Sequence, residues 1–229
     1  MNVQYQLAEL QPSVFLITSD NRYDLAQLFA CVQEFYESSD PQWKGKHFPR
    51  EVFERWYALN QCEDHIFSYP MDWSGFNVPS WAIDEFYKQS PYNTDNNFYD
   101  RMIKHIDSLI SERIGVDIPY YLIGTQSNDL ETLDHEIAHG LYATSPGYKM
   151  MMDEQIGNLP TRTRNRLASV LTNMGYAESV HDDEIQANFA TGLTSYFKGF
   201  QRFCPPFIEA FEQYRQPFNP DFTIVHPCP

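Results

Sequence analysis

Two rhythms of apolar residues run along the chain. Val14, Phe15, Leu16 and Ile17 form an unbroken apolar run closed by Thr18. It is too short for a helix and predicts a buried strand. Residues 23–36 then carry Leu25, Leu28, Phe29, Val32 and Phe35 at helical spacing, which predicts an amphipathic helix. A second helix is expected at 51–59. Residues 65–92 are crowded with Pro, Trp and Tyr and read as irregular, interrupted by one short helix at 81–88. The stripe Met102, Ile103, Ile106, Leu109 and Ile110 predicts a helix over 97–114, and Gly115 supplies its stop.

Residues 120–125 read as a strand, internal to a sheet or at its edge. Helices are expected at 128–143, at 161–174 with Gly175 as the stop, at 182–200 and at 205–214. The tail, 216–229, holds four prolines and should lie extended on the surface. The fold class is therefore α+β with helix dominant. A division near Gly115 separates an N-terminal lobe, 1–115, from a core at 116–204, followed by a C-terminal helix and proline-rich tail at 205–229.

Composition narrows the functional classes. The chain has 229 residues, 42% of them hydrophobic and 16% aromatic, which suits a packed core and argues against disorder. Its formal charge is −15, and such a surface repels phosphate backbones, so no nucleic-acid partner is expected. No apolar run approaches the roughly 18 residues of a membrane span, so no membrane partner is expected. The start of the chain is polar and lacks the basic and apolar regions of a secretory signal, so a cytoplasmic protein is expected, with non-classical export left open. Cys31, Cys62, Cys204 and Cys228 form no CxxC pair and read as reduced, mostly buried thiols. Nothing in the pattern sets the oligomeric state.

The chemistry is concentrated in His135-Glu136-Ile137-Ala138-His139. Leu130, Leu133, Ile137 and Leu141 give this segment an apolar helical stripe, with Asn128 as N-cap and Glu131 completing a capping box. On a helix, His135 and His139 stand one turn apart on the same side. Two imidazoles so placed can take two corners of a zinc tetrahedron. Glu136 is rotated about 100° from His135, so it lies beside the metal and can act on a zinc-bound water as general base.

This is the HExxH signature, and it resembles the zincin metallopeptidases. The flanking residues agree, with Thr132 and Leu133 before the motif and uncharged Gly140 and hydrophobic Leu141 after it. Metzincins continue to a glycine and a third histidine, where this chain has Tyr142 and Ser145. Gluzincins instead take a Glu from a second helix, and the segment His181-Asp182-Asp183-Glu184-Ile185-Gln186-Ala187-Asn188 fits that pattern. The resemblance is closest to the lethal-factor-like and Pro-Pro endopeptidase group of gluzincins and covers about 120–192 only.

The resemblance implies a zincin-like fold, with an edge strand preceding the site helix. It implies Zn2+ held by His135, His139 and Glu184, with Glu136 catalytic. His181 is the next alternative for the third ligand, followed by Asp182, Asp183 and Glu154. It implies that Asn188, one turn past Glu184, hydrogen-bonds a ligating histidine, and that Tyr176 stabilises an oxyanion, with Tyr142 and Tyr148 as rivals. The expected reaction is hydrolysis of a peptide or protein substrate. A zinc hydrolase acting on a non-peptide amide, or a zincin fold used only for binding, stay open.

Overall fold

Every residue of the strand Val14–Ser19 is buried, on both of its faces. That requires cover on both sides of the sheet, and the chain supplies it in sequence order. The computed structural model describes residues 4–73, 75–90, 97–127, 132–217 and 221–226. Its elements are β1 (Tyr5–Gln11), β2 (Val14–Ser19), α1 (Arg22–Glu37), α2 (Arg50–Asn60), α3 (Tyr69–Asp72), β3 (Gly75–Pro79), α4 (Ser80–Lys88) and α5 (Phe98–Ile114). They continue with β4 (Tyr121–Gln126), α6 (Leu133–Thr144), α7 (Pro146–Asn158), α8 (Thr161–Met174), α9 (His181–Thr191), α10 (Pro205–Tyr214) and β5 (Thr223–Val225). The protein is α+β, helix-rich around a small mixed sheet.

The sheet order is β3-β4-β2-β1-β5. β2 and β4 are parallel, and the other pairs are antiparallel. The pleat divides the side chains of the central strands between two cores. Phe15, Ile17 and Leu122 point into one, packed with α1, α2, α4 and α5. Val14, Leu16, Tyr121 and Ile123 point into the other, packed with α6 to α10. The first core is aromatic, with Trp43 against Phe53 edge-on at 5.4 Å, a contact worth about 1 kcal/mol beyond its buried area. The second core brings α6 close to the sheet. A Cβ at Gly140 would stand 2.6 Å from Val14 Cγ1, so only glycine permits this approach.

Several elements differ from expectation. The strand before the α6 segment is not an edge: β4 pairs with β2 on one side and β3 on the other. The edge on that side is β3, inside the stretch read as irregular, because Gly75, Asn77 and Pro79 are poor strand formers that an edge tolerates. α7 fills a stretch for which the pattern predicts no element. Ser145 accepts the Tyr148 N–H as N-cap, and Pro146 opens the helix. α9 ends at Thr191, before the expected 200, because Gly192 adopts φ +136°. The C-terminal tail adds a strand, with Val225 buried against β1. The expected cap at Asn128 and Glu131 lies outside the described residues, as does Cys228. Cys31 and Cys204 are buried thiols and Cys62 is half-buried. Among the described residues, no helix is long and apolar enough to cross a membrane.

Candidate metal centre

α6 turns Leu133, Ile137 and Leu141 into the second core, and this fixes the opposite side of the helix towards α9. His135 Nε2 and His139 Nε2 lie 3.2 Å apart. Glu184, from the first turn of α9, places Oε1 3.7 Å from His139 Nε2. These three residues each offer one ligand atom, all within 4.8 Å of one another. Among the described residues no other group of His, Cys, Asp and Glu converges this way. His181 turns away and its Nε2 meets the Tyr176 carbonyl at 3.2 Å.

The far nitrogens of the two imidazoles decide what the near ones can do. His139 Nδ1 faces Asp183 Oδ1 at 2.8 Å. His135 bonds through its ring to the Ala187 carbonyl, with Thr191 Oγ1 3.4 Å from its Nδ1. In the tautomer that donates from Nδ1 on both rings, the two Nε2 atoms, 3.2 Å apart, are left to face one point. A shared cation satisfies that arrangement, so the donor set fits a metal such as zinc. Asp183 is itself fixed: Gln186 Nε2 donates to it at 3.0 Å and to the Ala138 carbonyl at 3.2 Å, while Tyr148 donates to Gln186 Oε1 at 2.8 Å. The expected role of Asn188 is different in the structure. Its Nδ2 donates to the Glu184 carbonyl and lies 3.5 Å from Glu184 Oε2, so it steadies the carboxylate and not a histidine.

Electrostatics sharpen the fit. Burial, joined by Asp183 and Glu136, pushes the Glu184 carboxyl up to about 7, against the pull of His139. Burial and neighbouring His139 push His135 down to about 3. Burial lowers His139 too, but Asp183 and Glu184 outweigh it and hold the ring well above its usual range. The site thus gathers carboxylates around His139, a setting that favours a divalent cation.

Glu136 stands beside these three residues, buried at 5% exposure. Asn77 Nδ2 on β3 donates to its Oε2 at 2.8 Å, and Tyr121 on β4 donates to Asn77 Oδ1 at 2.5 Å. Burial raises the Glu136 carboxyl, while His139 and the Asn77 bond draw it back. Gly75 leaves the room: a Cβ there would sit 2.4 Å from Glu136 Oε1. None of this is visible in the sequence around the motif, because it arrives from a strand some sixty residues upstream.

Tyr176 lines the same cavity of about 260 Å³ as His135, Glu136, His139 and Glu184. It follows Gly175, whose φ of +99° ends α8. Backbone bonds Ser39 N to Gly175 O (2.9 Å) and Ala177 N to Glu37 O (3.0 Å) then pin it against the end of α1. Burial, then Glu184 and Glu37, keep its phenol protonated far above the usual range, so it is a donor. The rivals are engaged elsewhere, Tyr142 on Asp153 and Tyr148 on Gln186. Glu37, from α1, also lines this cavity. No sequence signal marked it. Comparison with family models, with curated proteins and with solved structures finds no match for this chain.

Proposed function

We propose that the chain is a zinc-dependent hydrolase of the zincin type, gluzincin-like, and that it cleaves peptide bonds. The observation that carries the reading is the convergence of His135, His139 and Glu184 within 4.8 Å, with Glu136 beside them and hydrogen-bonded to Asn77. His135, His139 and Glu184 would hold the ion. Zinc bound there would supply Lewis acidity, making a water nucleophilic and a carbonyl electrophilic. Glu136 takes the proton from the attacking water and passes it to the leaving amine. Its raised affinity for protons suits that exchange. Tyr176 donates its phenolic hydrogen bond to the oxyanion that develops on the carbonyl. Asp183 and the Ala187 carbonyl hold the two rings in the tautomer that presents Nε2.

A peptide is favoured over a small amide by β3. Among the described residues this strand lies at the end of the sheet beside Glu136 and pairs only with β4, so strand addition by an extended chain would align it with the reacting groups. The test combines metal analysis of the purified protein with digestion of a proteome-derived peptide library. Stoichiometric zinc and discrete cleavage are expected. Glu136→Gln should keep the zinc and lose at least about 10²-fold in turnover. Bound zinc with no cleaved peptide would instead favour a binding or scaffold role.

A further inference from the structure

A second cavity, of about 380 Å³, shares Gln33, Glu37, Trp73 and Tyr176 with the metal cavity and extends away from it beneath α1 and α2. Its size is that of a pocket for a single side chain or small ligand. Three carboxylates line it, Glu34, Glu37 and Asp40, and among the described lining residues there is no lysine or arginine. Lys44, whose ammonium feels Glu37, directs it to the Tyr36 carbonyl. The remaining walls include the aromatic rings of Trp56, Tyr57 and Trp73.

A second observation points to what belongs there. Gln33 is 5% exposed. Its Nε2 donates to Glu37 Oε2 at 3.1 Å, and its Oε1 meets no partner among the described residues. An unpaired buried acceptor beside carboxylates calls for a donor, and for a charged one. A small metal ion does not suit the space, because Glu34, Glu37 and Asp40 do not converge as the histidine site does. A long organic cation suits it better. Its alkyl stem can lie along the tryptophan and tyrosine faces, and its head can meet several acceptors at once. Burial raises the Glu34 carboxyl to about 7 and lifts that of Glu37 as well, so an arriving cation would restore charge that burial disfavours.

We propose that this cavity is the specificity pocket for a lysine or arginine side chain of the substrate, next to the cleaved bond. The proposal rests on the metallopeptidase reading, since the shared walls set the distance between pocket and metal. The net charge of −15 would draw such substrates in at long range.

The test uses the zinc-loaded full chain carrying Glu136→Gln, so that peptides bind without being cut. The probes are capped alanine peptides bearing one lysine, arginine, norleucine or glutamate at each position in turn, with affinity measured by calorimetry. Lysine and arginine should bind about tenfold more tightly than norleucine at one fixed position. Adding Glu34→Gln or Asp40→Asn should bring that ratio towards one, with melting temperature monitored to show that the fold persists. Equal binding of norleucine and lysine, or a ratio that survives both substitutions, overturns the pocket. Library digestion by the wild-type chain separates the two readings. Cleavage without basic preference removes the pocket and leaves the peptidase. Basic-selective binding without any cleavage removes the peptidase reading and leaves a cation-binding site.

Discussion

The two sides of the candidate site are built by different routes. On the side of α6 to α10, the groups sit on two packed helices at fixed spacing: His135 and His139 one turn apart, and Asp183 and Glu184 adjacent in the first turn of α9. On the side formed by β3, α1 and α3, the contributions are scattered over separate elements. Gly75 and Asn77 come from an edge strand, Glu37 from the last turn of α1, and Trp73 from the residue after α3. The first side collects the donor atoms. The second poises Glu136 and shapes the cavity. Substitutions on the two sides should therefore separate metal affinity from turnover.

The largest separation is expected at Glu184. Glu184→Ala removes one of three converging donors and should weaken zinc binding by at least about 100-fold. His181→Ala should leave zinc affinity intact, since its ring bonds the Tyr176 carbonyl and faces away. Competition with a chromophoric chelator measures both. Loss of metal from the His181 variant alone would end the gluzincin assignment while leaving the HExxH pair in place. Asp183→Ala comes next, at about 10- to 100-fold in affinity, because it frees the His139 ring that it orients.

The helical side was the legible one. A helix repeats every 3.6 residues, so a motif of five residues already states which side chains share a face. His135, Glu136, His139 and Glu184 could be marked from that rule and from the resemblance it supports. The error there was one of partner: Asn188 sits at the right turn, but it reaches Glu184, and the neighbouring Asp183 reaches the histidine. The other side had no comparable rule. Asn77 and Gly75 meet Glu136 only because β4 pairs with β3, and pairing of strands is not written in either strand alone. The same ignorance of pairing made β4 look like a candidate edge. Tyr176 was singled out among 15 tyrosines by resemblance, and the backbone bridge that positions it at the end of α1 has no local signature.

Asn77→Ala probes the second side in isolation. It removes the amide that steadies Glu136 and touches no ligand atom. Turnover should fall about tenfold, the scale of a hydrogen bond to a charged group, while zinc content and affinity stay near wild type. A matching loss of zinc would show that the two sides are not separable. Gly75→Ala should act in the same direction by steric displacement of the Glu136 carboxyl.

The smallest expected effect concerns stability and comes from the aromatic side alone. Burial lifts the Glu34 carboxyl from its ordinary 4.5 to about 7. Between those values the folded chain keeps a proton that the unfolded chain has released, so this group lowers stability as pH rises through the window. The effect is absent below 4.5 and complete above 7. Glu34→Gln cannot ionise and escapes it. Its melting temperature, relative to wild type, should therefore climb by several °C as pH goes from 4.5 to 8. The measurement is a pair of thermal melts across that range in the presence of excess chelator, which keeps the metal site out of the comparison. A difference that stays flat, or that grows towards acid, would mean Glu34 is ionised and solvated in the folded chain. The cavity it lines would then be an open acidic surface, with no desolvated carboxylate for a basic side chain to meet.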